Sequence, residues 1–326
     1  MKAILCEKLG MPEDLVYKDI PSLTPNENEI VVSVKACAVN FPDTLIIQGK
    51  YQFKPELPFS PGSDISGLVK EIGSNVKRFK VGDEIFGVVP HGGFAEEVIS
   101  TTKNIFHKPK SMSYSIAASF LYAYGTSLHA LQDRAELSSD DTIVILGAAG
   151  GVGLAAVDIA HKKGAKVIAC ASTQEKLDLC KEYGASEFIN YSTEDLKLRI
   201  KELTGGMGAD IIYDPVGGDY AEPALRALAW KGRYLVVGFA SGTIPKIPLN
   251  LALLKGCQIV GVFWGRFIQE EPDQSINNNL QIMDWYNQGN IKPHIHMEYN
   301  LQEAPLAIRA LMDRKVKGKI IVTVGK

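Results

Sequence analysis

The sequence lacks nearly every feature that would direct it to a membrane, a secretory route or a nucleic acid. No apolar run approaches the length needed to span a bilayer. Residues Met1 to Lys8 contain no long apolar core of the kind a signal peptide needs, so none is expected. The 35 basic and 37 acidic residues nearly cancel, which leaves no global field for phosphate backbones or anionic surfaces. Clusters of aromatic and basic residues are missing too, so no nucleic-acid partner and no membrane association are expected. Cysteine is scarce. Cys6, Cys37, Cys170, Cys180 and Cys257 are scattered, odd in number and never arranged as Cys-x-x-Cys. A disulfide framework is thereby excluded, and buried free thiols in a reducing, cytoplasmic setting are the expectation. No internal repeat or low-complexity segment interrupts the chain.

What is present centres on Thr142 to Val157, TIVILGAAGGVGLAAV. Thr142 to Leu146 is β-branched or apolar without alternation, as in a parallel strand covered on both faces. A helix follows from Gly151 to about Lys163, with Gly164 as its C′ residue. Between them stands Ala148-x-Gly150-x-x-Gly153, the dinucleotide fingerprint with alanine at the first glycine position. Such a turn presents the N–H groups and positive dipole end of a helix to an anion. Ala149, Gly150, Gly151, Val152 and Gly153 are therefore expected to cradle a pyrophosphate. The alternative is an ordinary strand-to-helix turn with glycines for packing.

A chain of 326 residues has room for two domains. Up to residue 122 it reads as β-rich, with strands at Ile30–Val39, Gly67–Ile72, Glu84–Val89 and Phe94–Ile99 separated by Gly- and Pro-containing turns. Helical periodicity follows over Ser113–Leu131. From Thr142 strands and helices alternate. Strands are expected at Lys166–Cys170, Glu187–Ile189, Ala209–Tyr213, Arg233–Val237 and Gln258–Phe263, with Ser192 capping a helix that runs to Leu203. Six such strands with crossover helices make an α/β, doubly wound parallel sheet, the Rossmann arrangement. Helices return at Ser275–Asn287 and Leu301–Lys315. Lys319–Val324 closes the chain as a strand that pairs back with the N-terminal β region. The expected division is 1–122 plus 265–326 for a β-rich domain and 123–264 for an inserted nucleotide domain.

The end of the second nucleotide-domain strand selects the nucleotide. NAD-binding domains commonly place a carboxylate there for the ribose diol. Here the strand ends on Ala171-Ser172, and Lys176 follows one helical turn later. The small hydroxyl of Ser172 leaves room for a 2′-phosphate, and Lys176 can neutralise it. NADP(H) is the expected cofactor. Glu175 is the competing acid, if it turns inward, and Lys176 has the alternative of a solvated helix-face lysine.

These residues together resemble the medium-chain dehydrogenase/reductase family, specifically its zinc-free NADPH:quinone oxidoreductase group, which includes ζ-crystallin. The resemblance runs from end to end. It rests on Val39-Asn40-Phe41-Pro42-Asp43, Pro61-Gly62-Ser63-Asp64-Ile65-Ser66-Gly67, Val81-Gly82-Asp83, Ala148 to Gly153, Ile189-Asn190-Tyr191 and Val237-Gly238-Phe239. It implies a GroES-like catalytic domain around the inserted Rossmann domain. Zinc-dependent relatives carry a cysteine matching Asn40 and a histidine matching Ser63, both better zinc ligands than the residues here. They also carry a four-cysteine lobe, yet this chain has no cysteine between Cys37 and Cys170. No metal is expected. His294-x-His296 is read as a surface turn. Gly147 and Asp64 depart from the family wording, which favours a larger residue and a glutamate there.

Without a metal to polarise an alcohol, the resemblance implies hydride transfer to an acceptor that needs little activation, a quinone or an enone, in a cleft between the domains. It places Asn40, Asp43, Tyr51 and Thr126 at the nicotinamide end and Lys176, Tyr191 and Arg314 around the 2′-phosphate. The backbones of Gly238, Phe239 and the Phe263-Trp264-Gly265 turn would flank the nicotinamide. Each has a structural alternative: Asn40 and Asp43 as caps before Pro42, Tyr51 as a core-covering loop residue, Tyr191 as a strand end, Arg314 as a solvated charge. Three functions follow: an NADPH:quinone oxidoreductase, an enone or 2-alkenal reductase, and a non-catalytic NADPH-binding sensor or structural protein. The apolar strand Gln258–Val262, expected at a sheet edge, predicts a homodimer.

Overall fold

The structure is a computed structural model that describes residues 1–325. It divides into two compact units, Met1–Tyr122 together with 293–325, and Ala123–Lys292.

The first unit is built on a seven-stranded sheet. Its longest strand, Glu29–Val39, pairs antiparallel with Asp64–Ile72, with Glu97–Thr101 and with Lys319–Thr323. The last of these strands pairs in turn, in parallel, with Ile295–Asn300. The chain's closing strand thus returns to the N-terminal β region. Glu29–Val39 is buried along most of its length because both of its faces are covered. One face contributes Ile30, Val32, Val34 and Cys37 to the main core with Ile65, Phe94 and Ile320. On the other, Ala36 and Ala38 pack with Ala118 and Ile321, small residues that admit the short helix Tyr114–Ala118. The strand expected at Phe94–Ile99 runs Glu97–Thr101.

The second unit holds a six-stranded parallel sheet. Numbered along the chain, its strands lie in the order third, second, first, fourth, fifth, sixth. They are Thr142–Ile145, Lys166–Ala171, Glu187–Asn190, Ala209–Asp214, Leu228–Val236 and Gln258–Gly261. This is the doubly wound Rossmann order. Ile143, Val144, Ile145 and Leu146 are fully buried, which is why their stretch of sequence shows no alternation.

Three local expectations are corrected. Residues 265–292 belong to the second unit. Phe267 stacks on His129 with ring centroids 3.8 Å apart, and Asn278 Nδ2 donates to Asp133 Oδ2 at 2.7 Å. These contacts fasten the helices Trp264–Glu270 and Pro272–Asn287 to residues that follow helix Leu121–Leu128. The helix Leu196–Leu203 is capped by Asp195, whose carboxylate accepts from Leu198 N at 2.9 Å, and not by Ser192. His296 lies within strand Ile295–Asn300, and His294 just before it accepts the Lys319 N–H, so the pair is not a surface turn.

Candidate active site and its two halves

In the second unit, helix Gly151–Lys162 starts from Gly150, and no protein side chain caps it. Its first N–H groups lie ahead of the first helical hydrogen bond, Leu154 N to Gly150 O. A Cβ added at Gly150 would meet only Gly147 O, at 3.3 Å, so the space before it is kept clear by the protein. Gly153 has a different task. A Cβ there would fall 2.3 Å from Gly147 O, so helix and strand are packed backbone to backbone at this point. Gly147 itself has φ +58, a left-handed conformation that disfavours a larger residue. These residues fit a dinucleotide pyrophosphate.

The neighbouring strand Lys166–Ala171 delivers Ser172, whose Oγ lies 3.4 Å from Lys176 Nζ. Tyr191 is tied to the same point, because its N–H donates to Ala171 O at 3.2 Å. Its ring packs on Tyr220 at 4.4 Å between centroids. Glu175 is exposed on the first turn of helix Gln174–Glu182. Gly238 and Phe239 follow strand Leu228–Val236, and Phe239 covers Gly217. Thr126 is buried in helix Leu121–Leu128. Phe263 is exposed, but Trp264 is only 5 % exposed and packs over Gly125. Trp264 opens a helix, so Phe263-Trp264-Gly265 is a helix start and not a turn. Arg314 belongs to the other unit. It lies in the first unit, exposed, just beyond helix Ala304–Met312, with φ +58.

In the first unit, three adjacent strands place polar residues at one end of the sheet. Register pairs Val39 with Ile320 and Ala38 with Asp64. Asn40 leaves the end of one strand, while Asp64 and Lys319 begin its two neighbours. Lys319 Nζ donates to Asn40 Oδ1 at 2.5 Å and stands 3.6 Å from Asp64 Oδ2. All three are buried, with Asn40 at 7 % and Lys319 at 5 % exposure. Asn40 N–H donates to Asp43 Oδ2 at 2.7 Å, and Gly62 N–H donates to Asp43 Oδ1 at 3.1 Å. Asp43 is thus held by two backbone groups at the start of helix Phe41–Ile46.

Burial dominates the electrostatics. It pushes the Asp43 carboxyl up to about 6 and the Asp64 carboxyl up to about 7, against the pull of Lys319 and local hydrogen bonds. Burial lowers Lys319, and the Asp64 and Asp43 carboxylates oppose that fall. The fully buried Cys37 thiol is driven well above its ordinary value, so it is no nucleophile. Burial also raises Tyr51, whose hydroxyl shares a hydrogen bond with that of Tyr122. Ser63 Oγ is engaged with Pro90 O at 3.4 Å. Among the described residues, no three His, Cys, Asp or Glu side chains are grouped to hold a metal ion.

The structure therefore gathers Asn40, Asp43 and Tyr51 in one unit, and the fingerprint, Ser172, Lys176 and Tyr191 in the other. Lys319 and Tyr122 were not anticipated. Lys319 is 279 residues from Asn40, and only the register of the closing strand makes them neighbours. The one signal in the sequence is a lysine set directly before the apolar run Ile320-Ile321-Val322.

Comparison with known proteins places the chain in a family. An alcohol dehydrogenase GroES-like domain model matches residues 26–110, and a zinc-binding dehydrogenase model matches residues 151–280. A quinone oxidoreductase-like protein 2 homolog of Nematostella vectensis is 40% identical over 326 residues, covering 98% of this chain and 88% of the relative. The chain belongs to the zinc-free quinone oxidoreductase family of medium-chain dehydrogenases/reductases. Within that oxidoreductase family, the solved Escherichia coli quinone oxidoreductase complexed with NADPH superposes with a TM-score of 0.93 at 30% identity, over 99% of this chain and 100% of the other. A CurK enoyl reductase superposes with a TM-score of 0.90 at 25% identity, over 99% of each chain.

Proposed function

We propose that this protein reduces quinones with NADPH by hydride transfer and without zinc. The observation that carries the cofactor is the pair of Lys176 and Ser172, 3.4 Å apart at a strand end that bears no carboxylate. That pair suits a 2′-phosphate, and the cleared space at Gly150 suits the pyrophosphate. The bound cofactor would supply the hydride. The chain's own residues do the rest. Asn40 offers a neutral hydrogen-bonding amide where zinc-dependent relatives have a thiolate ligand. Tyr51 shares a hydrogen bond with Tyr122 and presents its hydroxyl to an acceptor oxygen in this reading. Thr126 faces the nicotinamide end in this reading, and Asp43 holds the Asn40 turn in place.

NADPH oxidation against a panel of quinones tests the proposal, with NADH and a strong chelator as controls. Turnover that survives the chelator and prefers NADPH is expected. Stoichiometric zinc lost together with activity would refute it. A second reading, reduction of enones or 2-alkenals, draws support from the enoyl reductase likeness and from the Tyr51 proton. An α,β-unsaturated aldehyde in the same panel separates the two. The assembly that fits is a cytoplasmic homodimer. Strand Gln258–Gly261 is the last of its sheet and carries exposed Ile259, with exposed Leu253, Leu254 and Phe263 in the segments flanking it. Light scattering at working concentration tests the dimer.

A further inference from the structure

The amide of Asn40 is only half used. Its oxygen accepts from Lys319 Nζ at 2.5 Å, while its nitrogen, buried and carrying two hydrogens, has no partner in the protein. An ammonium group has donors and no acceptor. The side of Asn40 that faces Lys319 must therefore be the oxygen, and the nitrogen is committed to the opposite side. An unpaired donor at 7 % exposure is costly unless something arrives to use it.

We infer that Lys319 is a positioning residue that fixes the sense of the Asn40 amide, so that Asn40 Nδ2 donates to the carbonyl oxygen of the acceptor. This rests on the reading of the protein as an NADPH-dependent reductase. The acceptor gains a hydride with its electron pair, and the nicotinamide is oxidised. The electrons end on the acceptor's carbonyl oxygen as a phenolate, from a quinone, or an enolate, from an enone. A phenolate then takes one proton at oxygen from water, whereas an enolate takes one at the α-carbon from Tyr51, which water reprotonates. A hydrogen-bond donor aimed at that oxygen is worth more as the charge develops. A flipped amide would set its own oxygen against the new anion. The positive charge of Lys319, held beside Asp64 at 3.6 Å, also polarises the amide toward donation.

The test uses the NADP⁺-bound protein and 4-nitrophenolate, a stable phenolate, at a pH above the phenol's own pKa. The control ligand is 4-nitroanisole, which has the same ring and no oxyanion. Lys319→Met and Asn40→Ala should each weaken 4-nitrophenolate about tenfold or more, the size of one charge-assisted hydrogen bond. The double variant should be no weaker than Asn40→Ala alone, because Lys319 acts through Asn40. Affinity for NADP⁺ and for 4-nitroanisole should stay at the wild-type value. Should Lys319→Met fail to fold, Lys319→Met with Asp64→Asn removes both buried charges and carries the same expectation. Wild-type protein that ignores 4-nitrophenolate, a Lys319→Met protein that binds it normally, or losses that multiply in the double variant would each overturn the inference. Failure of the functional reading looks different. Then wild type binds the phenolate through this pair, yet neither a quinone nor an enone is reduced.

Discussion

Lys319 Nζ lies 2.5 Å from Asn40 Oδ1, although 279 residues separate them along the chain. Asp64, 3.6 Å from the same ammonium, completes a buried cluster that two strand registers bring together. The cluster lies in the first unit, and the fingerprint turn lies in the second.

Titration of the cluster should be visible in stability. Burial raises Asp64 from 3.8 to about 7 and Asp43 from 3.8 to about 6. In that window the folded chain holds protons that the unfolded chain has lost. The stability these groups contribute is full below the unfolded pKa and is lost as pH rises through the folded one. Denaturation midpoints should therefore fall between about pH 4 and pH 7 on account of these two groups. Asp64→Asn should flatten that fall, leaving the smaller part from Asp43. An unchanged slope in the variant would place the carboxylate's titration elsewhere.

Cofactor choice should depend on Lys176. Lys176→Ala is expected to weaken NADPH by roughly 1–3 kcal/mol, the range of a charge-assisted hydrogen bond, and to leave NADH nearly unaffected. Fluorescence titration of both nucleotides decides this. Equal losses for the two would remove Lys176 and Ser172 from the 2′-phosphate.

Two glycines three residues apart should fail in different ways. Gly150→Val should abolish binding of both nicotinamide nucleotides while circular dichroism stays native, because the protein itself leaves room at that position. Gly153→Ala should instead destabilise the fold, by roughly 1–3 kcal/mol for overpacking, since its Cβ would fall 2.3 Å from Gly147 O. Native affinity in Gly150→Val would overturn the location of the pyrophosphate.

Tyr51 distinguishes the two acceptor chemistries. Its hydroxyl, which shares a hydrogen bond with Tyr122, is suited to orient an acceptor oxygen. A quinol can take its protons from water, whereas an enone needs one delivered to carbon. Tyr51→Phe should lower quinone turnover modestly and enone turnover more. General acid catalysis contributes roughly 10²–10⁴-fold where it operates. A loss of that size in quinone reduction, with NADPH affinity intact, would make Tyr51 a proton donor.

The nucleotide unit was the more legible half. Its strands are buried on both faces and its turn residues are local, so period and composition carried the fold and located the fingerprint turn at a helix start. Even there the reason for Gly147 was hidden, because a φ of +58 cannot be seen in a sequence. The first unit was legible as β structure but not as a site. Asn40 and Tyr51 were found by resemblance, and Asp43 proved to be tied to two backbone N–H groups. Lys319 was missed because pairing register is a long-range property. The second boundary, at 292, was missed because Phe267 and Asn278 dock on residues 129–133, and sequence order does not reveal that choice.

The first unit is assembled from both sides of the inserted domain, and this has a consequence for biosynthesis. The nucleotide unit has all of its residues by Lys292. Strand Glu29–Val39, synthesised far earlier, keeps an unfilled edge until Lys319–Thr323 emerges from the ribosome. Domains fold as units during translation, so the nascent chain can acquire its nucleotide before Asn40 has its lysine. The nucleotide unit is thus complete first, and the buried cluster around Asn40 is completed last.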